Sequence, residues 1–342
     1  VILPPLHKRF SFTSVMVAAS VLASAGLITS GFASNIASIS ITLGVLHSIG
    51  SGTVLVSLYL LTMMYFSKFR GVAHGAASLG KPLSDLIFTE LLQFFKGAYG
   101  ARGSLFLLGA LSMHLTPLTL ALRVPFLSKT ISKDELCTSK LEVEDAADEN
   151  WQYIEMQELE RPKQEPPQSR VERCESPETP NKACTEFRVL FARPVFYIVI
   201  ISSAVTAVID SIFLTTVIDF AVDQGSVISD AAWLKPCYSV ASAMGRVLLP
   251  LIADRGYVRR STFVMLSHVL VGVTLAVVPI ATKYWMVATL CALTAAFLGG
   301  GTVMHDVLVV DYLSLERLSI IHGAIGAVKA PLVICSPLLI GE

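Results

Sequence analysis

Apolar residues run in blocks of about twenty along most of this chain, over approximately 12–33, 37–64, 71–94, 103–122, 194–219, 231–253, 261–280, 284–308 and 319–340. Short polar turns separate them. Roughly 20 apolar residues are what a helix needs to cross the hydrocarbon core, where every backbone polar group must be bonded within the segment. The pattern therefore predicts nine transmembrane helices and an all-α, polytopic membrane bundle with the lipid bilayer as its solvent. Glycines inside the runs, such as Gly71, Gly75, Gly80, Gly299, Gly300 and Gly301, suit close contact between helices.

One stretch breaks the pattern. Residues 129–193 hold 10 of the 26 Lys and Arg and 15 of the 26 Asp and Glu, with Pro162, Pro166, Pro167, Pro177 and Pro180 among them. Such composition predicts a disordered linker. The domain reading is four helices in 1–123, a cytoplasmic linker loop over 124–193, and five helices in 194–342. Ser176-Pro177 and Thr179-Pro180 in the linker are phosphorylation candidates, with a plain connector the simpler expectation.

Lys and Arg in short loops set orientation. With His7-Lys8-Arg9 on the cytoplasmic side, that side also receives Lys68, Arg70, Arg123, Arg255, Arg259, Arg260 and Arg317. The opposite side receives Lys96, Arg102 and Lys283 beside Asp219, Asp223 and Asp230. The chain opens on Val1 and ends at Gly341-Glu342 as an apolar run closes, so it reads as part of a longer protein. Four helices, a long loop and five helices fit two six-helix halves that lack two helices at the start and one at the end, the arrangement of major facilitator carriers.

Composition narrows the chemistry. Apolar residues make up 53% and charged residues 15%, against about 25% charged in soluble domains. A net charge of zero offers nothing to nucleic acid. Six cysteines without a CxxC pair, and histidines without ligand spacing, suggest neither disulfides nor a metal. Gly75 to Lys81 satisfies GxxxxGK, but Pro82 stands where a phosphate loop needs Ser or Thr, and the segment lies in an apolar run. No cofactor and no covalent chemistry are expected, so a carrier is favoured over an enzyme.

Intramembrane charges are functional candidates by default. Arg246 lies eight residues before Asp254, about 12 Å from the helix end at 1.5 Å per residue, too far to snorkel comfortably. An Arg near mid-bilayer costs roughly 2.5 to 3.5 kcal/mol unless it faces a polar cavity, and its planar fork suits a carboxylate. Lys81 and Asp85, one turn apart, are expected to pair with each other or to line the path. Asp210 and Lys329 are further charges without an assigned partner. His305 beside Asp306 is a candidate proton relay, against a plain packing role.

The stretch Tyr65-Phe66-Ser67-Lys68-Phe69-Arg70 through Ala73, Gly75, Ala77, Gly80 and Pro82 resembles the YFxKRRxxAxGxAxAGSPxG signature of the monocarboxylate transporter family. Arg102-Gly103, Gly245-Arg246 with Ala253-Asp254, Asp311, and Ser336-Pro337 with Gly341 recur in family order. The resemblance implies helices three to eleven of a twelve-helix, multi-pass carrier of the plasma membrane that moves a small organic anion by alternating access. It implies that Arg246 binds substrate, and that Tyr65, Phe66, Lys68, Arg70, Gly75, Gly80, Pro82, Asp254, Asp311 and Pro337 form gating or structural motifs. Proton-coupled relatives carry Asp four residues before this Arg, where Ser242 stands here. Proton symport is therefore open, with Asp306 or Asp311 as alternative titrating groups and possible partners of Arg246. A single-span glycoprotein often accompanies family members. The alternatives are a facilitator of aromatic amino acids, or a non-transporting sensor or adapter.

Overall fold

The computed structural model describes residues 12–122, 190–191, 193–313 and 315–335. Most of the linker, with its two Ser/Thr-Pro pairs, and Pro337 lie outside these residues. The described chain is helical: α1 (Phe12–Phe32), α2 (Ile36–Ile39), a π-helical run over Ser40–His47, α3 (Ser48–Tyr65), α4 (Arg70–Ser78), α5 (Gly80–Ser112) and α6 (Leu115–Ala121) precede the linker. After it come α7 (Pro194–Asp223), α8 (Ile228–Ala231), α9 (Leu234–Asp254), α10 (Arg260–Val277), α11 (Tyr284–Leu313) and α12 (Leu318–Ile334).

Seven helical stretches among the described residues are long and apolar enough to cross a membrane. One of them, Arg70–Ala121, holds two of the expected crossings. At 52 residues an unbroken helix would run roughly 78 Å, more than twice the hydrocarbon thickness. Gly100 breaks it, with φ 69° and ψ 177°, a conformation that a side chain would oppose. The chain then turns back along α1, where Gly109 meets Ile28 and Gly31 meets Phe106. The last expected helix appears as α12, with 17 described residues.

Glycine sets how closely the helices approach. A Cβ on Gly245 would strike the backbone of Ala296, and one on Gly299 would lie 2.7 Å from the carbonyl of Ser242. These glycines let α9 and α11 pack backbone to backbone. Between α4 and α9 the contact is as close: a Cβ on Gly75 would meet the carbonyl oxygen of Arg246. Pro250, four residues on, has no N–H, so that carbonyl lacks its usual helical donor. The Gly75 Cα–H group lies against it instead, a weak but recurring type of contact. Gly80 differs from the packing expected of it, because nothing lies near the position of its Cβ. The break between α4 and α5 follows from Pro82, whose missing N–H leaves the Ser78 carbonyl without a helical donor.

Loops rich in Lys and Arg gather at one end of the molecule, called here the basic end. Arg70 at the start of α4, Arg260 at the start of α10 and Asp311 near the end of α11 meet there, at 3.3 Å for Arg70–Asp311 and 2.8 Å for Arg260–Asp311. Asp254 closes α9 with a fully buried side chain. It accepts the Val72 backbone N–H at 2.9 Å and pairs with Arg260 at 3.3 Å. Gly71 carries no side chain that would collide with Met304 and Asp254 at this crossing.

Candidate substrate site

A cavity of about 110 Å³ lies among α5, α7, α9, α11 and α12. At about 30 Å³ per water in the liquid, that is room for roughly four waters. Each wall has a local origin. On α9, Tyr238, Ser239, Ser242 and Arg246 fall at helical spacing on one face. Gly299 on α11 faces them, and with no side chain of its own it approaches the Arg246 stem, where its Cβ would sit 3.3 Å from Cγ. From α5 come Lys81, Pro82 and Asp85; from α7, Thr206 and Asp210; from α12, Lys329.

Arg246 is buried, at 8% exposure, yet among the described residues it makes no ion pair and no hydrogen bond, and its Nε is fully covered. A native buried guanidinium is almost always paired, and this one has no such partner among the described residues. Lys329 likewise makes no ion pair or hydrogen bond among the described residues. Lys81 pairs with Asp210 at 3.3 Å, and the Tyr238 hydroxyl donates to the same carboxylate. The lining thus carries three cations, Lys81, Arg246 and Lys329, against two carboxylates, Asp85 and Asp210. The lining carries one net positive charge.

Several expectations change here. Lys81 does not pair with Asp85: a turn on the same helix brings the two near, but Asp210 reaches the ammonium from α7. Asp306 does not line the cavity and does not pair with Arg246. Its carboxylate accepts from His74 Nε2 at 3.1 Å, with His305 Nδ1 at 3.8 Å. Asp311 is likewise no partner of Arg246, being held by Arg70 and Arg260 at the basic end. Of the motif residues, Arg70 and Asp254 tie that end, Pro82 reaches the cavity, and Lys68 lies over the Phe69 ring at 5.9 Å. Tyr65 and Phe66 are exposed at the end of α3. Asp210 and Lys329 were visible as intramembrane charges and Tyr238 as an aromatic expected at the membrane interface or in the cavity, whereas nothing in the sequence singled out Thr206 or Thr302.

The Major Facilitator Superfamily model matches residues 1–334, almost the whole chain. The chain belongs to the Major Facilitator Superfamily. It is a multi-pass membrane protein of that superfamily, with the helical bundle described above. Among curated relatives it is similar to monocarboxylate transporter 11 of Homo sapiens, 37% identical over 33% of this chain and 24% of that protein. The Mus musculus protein of the same name is 39% identical over 34% of this chain and 26% of its own length. Monocarboxylate transporter 3 of Mus musculus is 34% identical over 32% of this chain and 22% of that protein. The matched stretch spans about a quarter of these relatives.

Proposed function

We propose that this chain forms the core of a secondary transporter that carries a small monocarboxylate, or a similar organic anion, by alternating access. The observation that carries the reading is Arg246. It is a permanently charged, planar donor, its backbone packed on Gly75 and its stem on Gly299, facing a polar cavity with an unbalanced positive charge. A carboxylate would satisfy it with two parallel hydrogen bonds. Ser242 and Thr302, at the same cavity, offer hydroxyls for a second polar group on the substrate.

Closure at the basic end, through Asp254, Asp311 and the Gly75 crossing, supports reading this conformation as the one that faces away from that end. By the charge bias of the loops, the basic end is cytoplasmic. The N-terminal and C-terminal helices would then rock about the cavity, with the charged linker between them as a cytoplasmic tether.

Uptake of labelled lactate and pyruvate by cells expressing the intact protein tests this, with phenylalanine in parallel and surface delivery measured. Saturable carboxylate uptake that falls sharply with Arg246→Gln is expected. Correct surface delivery with no uptake of either carboxylate would overturn it.

A further inference from the structure

The cavity around Arg246 is lined by hydroxyls as well as charges, and the surrounding helices fix where most of those hydroxyls send their proton. A hydroxyl has one O–H to give and two lone pairs to offer. Thr206 of α7 has two claimants for its proton. The Ser202 carbonyl, one turn back on the same helix, lies 2.7 Å from its oxygen, and His268 Nε2 of α10 lies 3.0 Å away.

The far nitrogen of His268 decides which way the second contact runs. Nδ1 lies 2.8 Å from the Val264 carbonyl, which only accepts, so Nδ1 carries the hydrogen. In the neutral ring Nε2 is then a bare lone pair. Both neighbours of the Thr206 hydroxyl are therefore acceptors, and whichever takes the proton, none remains for the cavity. Thr206 faces that space with lone pairs alone.

Two more lining hydroxyls have spent their proton in the same way. Thr302 of α11 donates to the Leu298 carbonyl at 2.6 Å, a bond back to its own helix that Thr makes readily. Tyr238 of α9 donates to Asp210. Oxygens from α7, α9 and α11 thus accept and do not donate. Donation is left to the cations and to Ser242, one turn before Arg246, whose hydroxyl makes no hydrogen bond among the described residues. Arg246 and Ser242 share one face of α9. The lining is therefore divided into a donor side around Arg246 and an acceptor side around Thr206 and Thr302.

We propose that Thr206 and Thr302 make the carrier selective for a 2-hydroxy acid over the 2-oxo acid of the same size; this rests on reading the cavity as the carboxylate site. The carboxylate takes the donors around Arg246. The neighbouring hydroxyl then gives its proton to Thr206 or Thr302. A 2-oxo oxygen in its place brings lone pairs against lone pairs, and the threonines cannot turn to meet it without abandoning the carbonyls they already bond. A site whose polar groups are committed in this way rejects the analogue that lacks the matching group. An amino acid also carries a donor beside its carboxylate, but as a zwitterion it leaves the net positive charge of the lining unanswered, whereas a hydroxy acid neutralises it.

The experiment uses the intact protein in liposomes and measures, at one fixed pH, the half-saturating concentrations of lactate, pyruvate and propionate against exchange of labelled lactate. Propionate has no oxygen at the second carbon. Lactate should saturate at a roughly tenfold lower concentration than pyruvate, the worth of one net hydrogen bond, and pyruvate should do no better than propionate. In Thr206→Val/Thr302→Val the lactate and pyruvate values should converge to within about twofold, while Thr206→Ser/Thr302→Ser, which keeps both oxygens, should hold the wild-type ratio. Wild-type values for lactate and pyruvate within about threefold of each other, or in the reverse order, would overturn the selectivity and leave the carrier standing. So would a ratio that survives in the valine variant, or one that collapses in the serine variant as well. Absence of saturable exchange with any of the three acids would instead remove the carrier reading beneath it. If the valine variant does not fold, the wild-type ranking of the three acids and the serine variant decide the matter.

Discussion

Replacing Arg246 tests the anion site most directly. Each hydrogen bond to a charged partner contributes roughly 1.5 to 3 kcal/mol, and a bidentate carboxylate makes two. Arg246→Gln removes both charge-assisted bonds and leaves two cations facing two carboxylates around the cavity. A loss of about 3 kcal/mol corresponds to a rise of about 100-fold in half-saturating carboxylate concentration. Arg246→Lys keeps the charge and gives up the fork, so about 1.5 kcal/mol, or roughly tenfold, is expected. The assay is concentration-dependent exchange of labelled lactate in liposomes, normalised to reconstituted protein. Thermal melting gives an independent readout. A carboxylate at about 100 times its Kd should stabilise the wild type by about 2.7 kcal/mol, and Arg246→Gln should lose that gain while folding at least as well without substrate. The reasoning fails if Gln and Lys variants both saturate within threefold of wild type, or if the carboxylate still raises the melting temperature of Arg246→Gln.

Three further substitutions probe the surroundings. Gly75→Ala places a methyl on the Arg246 carbonyl, so α4 and α9 must separate; loss of transport and a penalty of roughly 1 to 3 kcal/mol in detergent melting are expected. Gly80→Ala meets nothing and should be neutral, or stabilising by up to about 1 kcal/mol, in the same melt. Lys81→Ala should change stability by less than about 1 kcal/mol because the lysine side chain is 61% exposed, whereas Asp210→Ala strands the Tyr238 hydroxyl and should lose more; a double-mutant cycle on melting separates the two. Asp254→Ala removes a fully buried acceptor from the Val72 N–H and should loosen the basic end by about 3 kcal/mol, read as new labelling of a cysteine introduced at Val72.

The membrane fold was legible because lipid imposes a single local rule, an uninterrupted apolar run, and the nine runs obey it. Arg246 was legible for the same reason, since a charge in oil demands an explanation. Its surroundings were not. The pairing of Lys81 depends on which of two carboxylates the bundle brings nearer, and helical spacing favours Asp85 where packing delivers Asp210. Asp306 has His305 beside it in sequence, but His74 reaches it only because α4 crosses α11 there, where Gly71 lies against Met304. Helical periodicity reports one helix at a time, and partners across helices lie beyond it.

How the two sets of helices are joined bears on whether they can separate. One apolar cluster, built on Phe213, Leu234, Tyr238 and Val287, belongs wholly to helices after the linker. A second, around Val307, Leu313 and Ile321, takes only Tyr59 and Met63 of its buried members from helices before it. Leu60 packs beside them, and Gly71 meets Met304 and Pro250; the other ties across the two sets include Arg70 to Asp311, Val72 N–H to Asp254, His74 to Asp306, Lys81 to Asp210, and glycine against the Arg246 carbonyl. Water replaces polar ties at a net cost of about 1 kcal/mol each, far less than their gross strength. It offers nothing comparable to an apolar core, where each large side chain laid bare costs about 1.5 to 3 kcal/mol. An interface of polar ties and a small apolar seam therefore costs less to open than either core, and a ligand that favours one conformation shifts that equilibrium. The apolar cores within each set are what keep the helices together as bodies when it does.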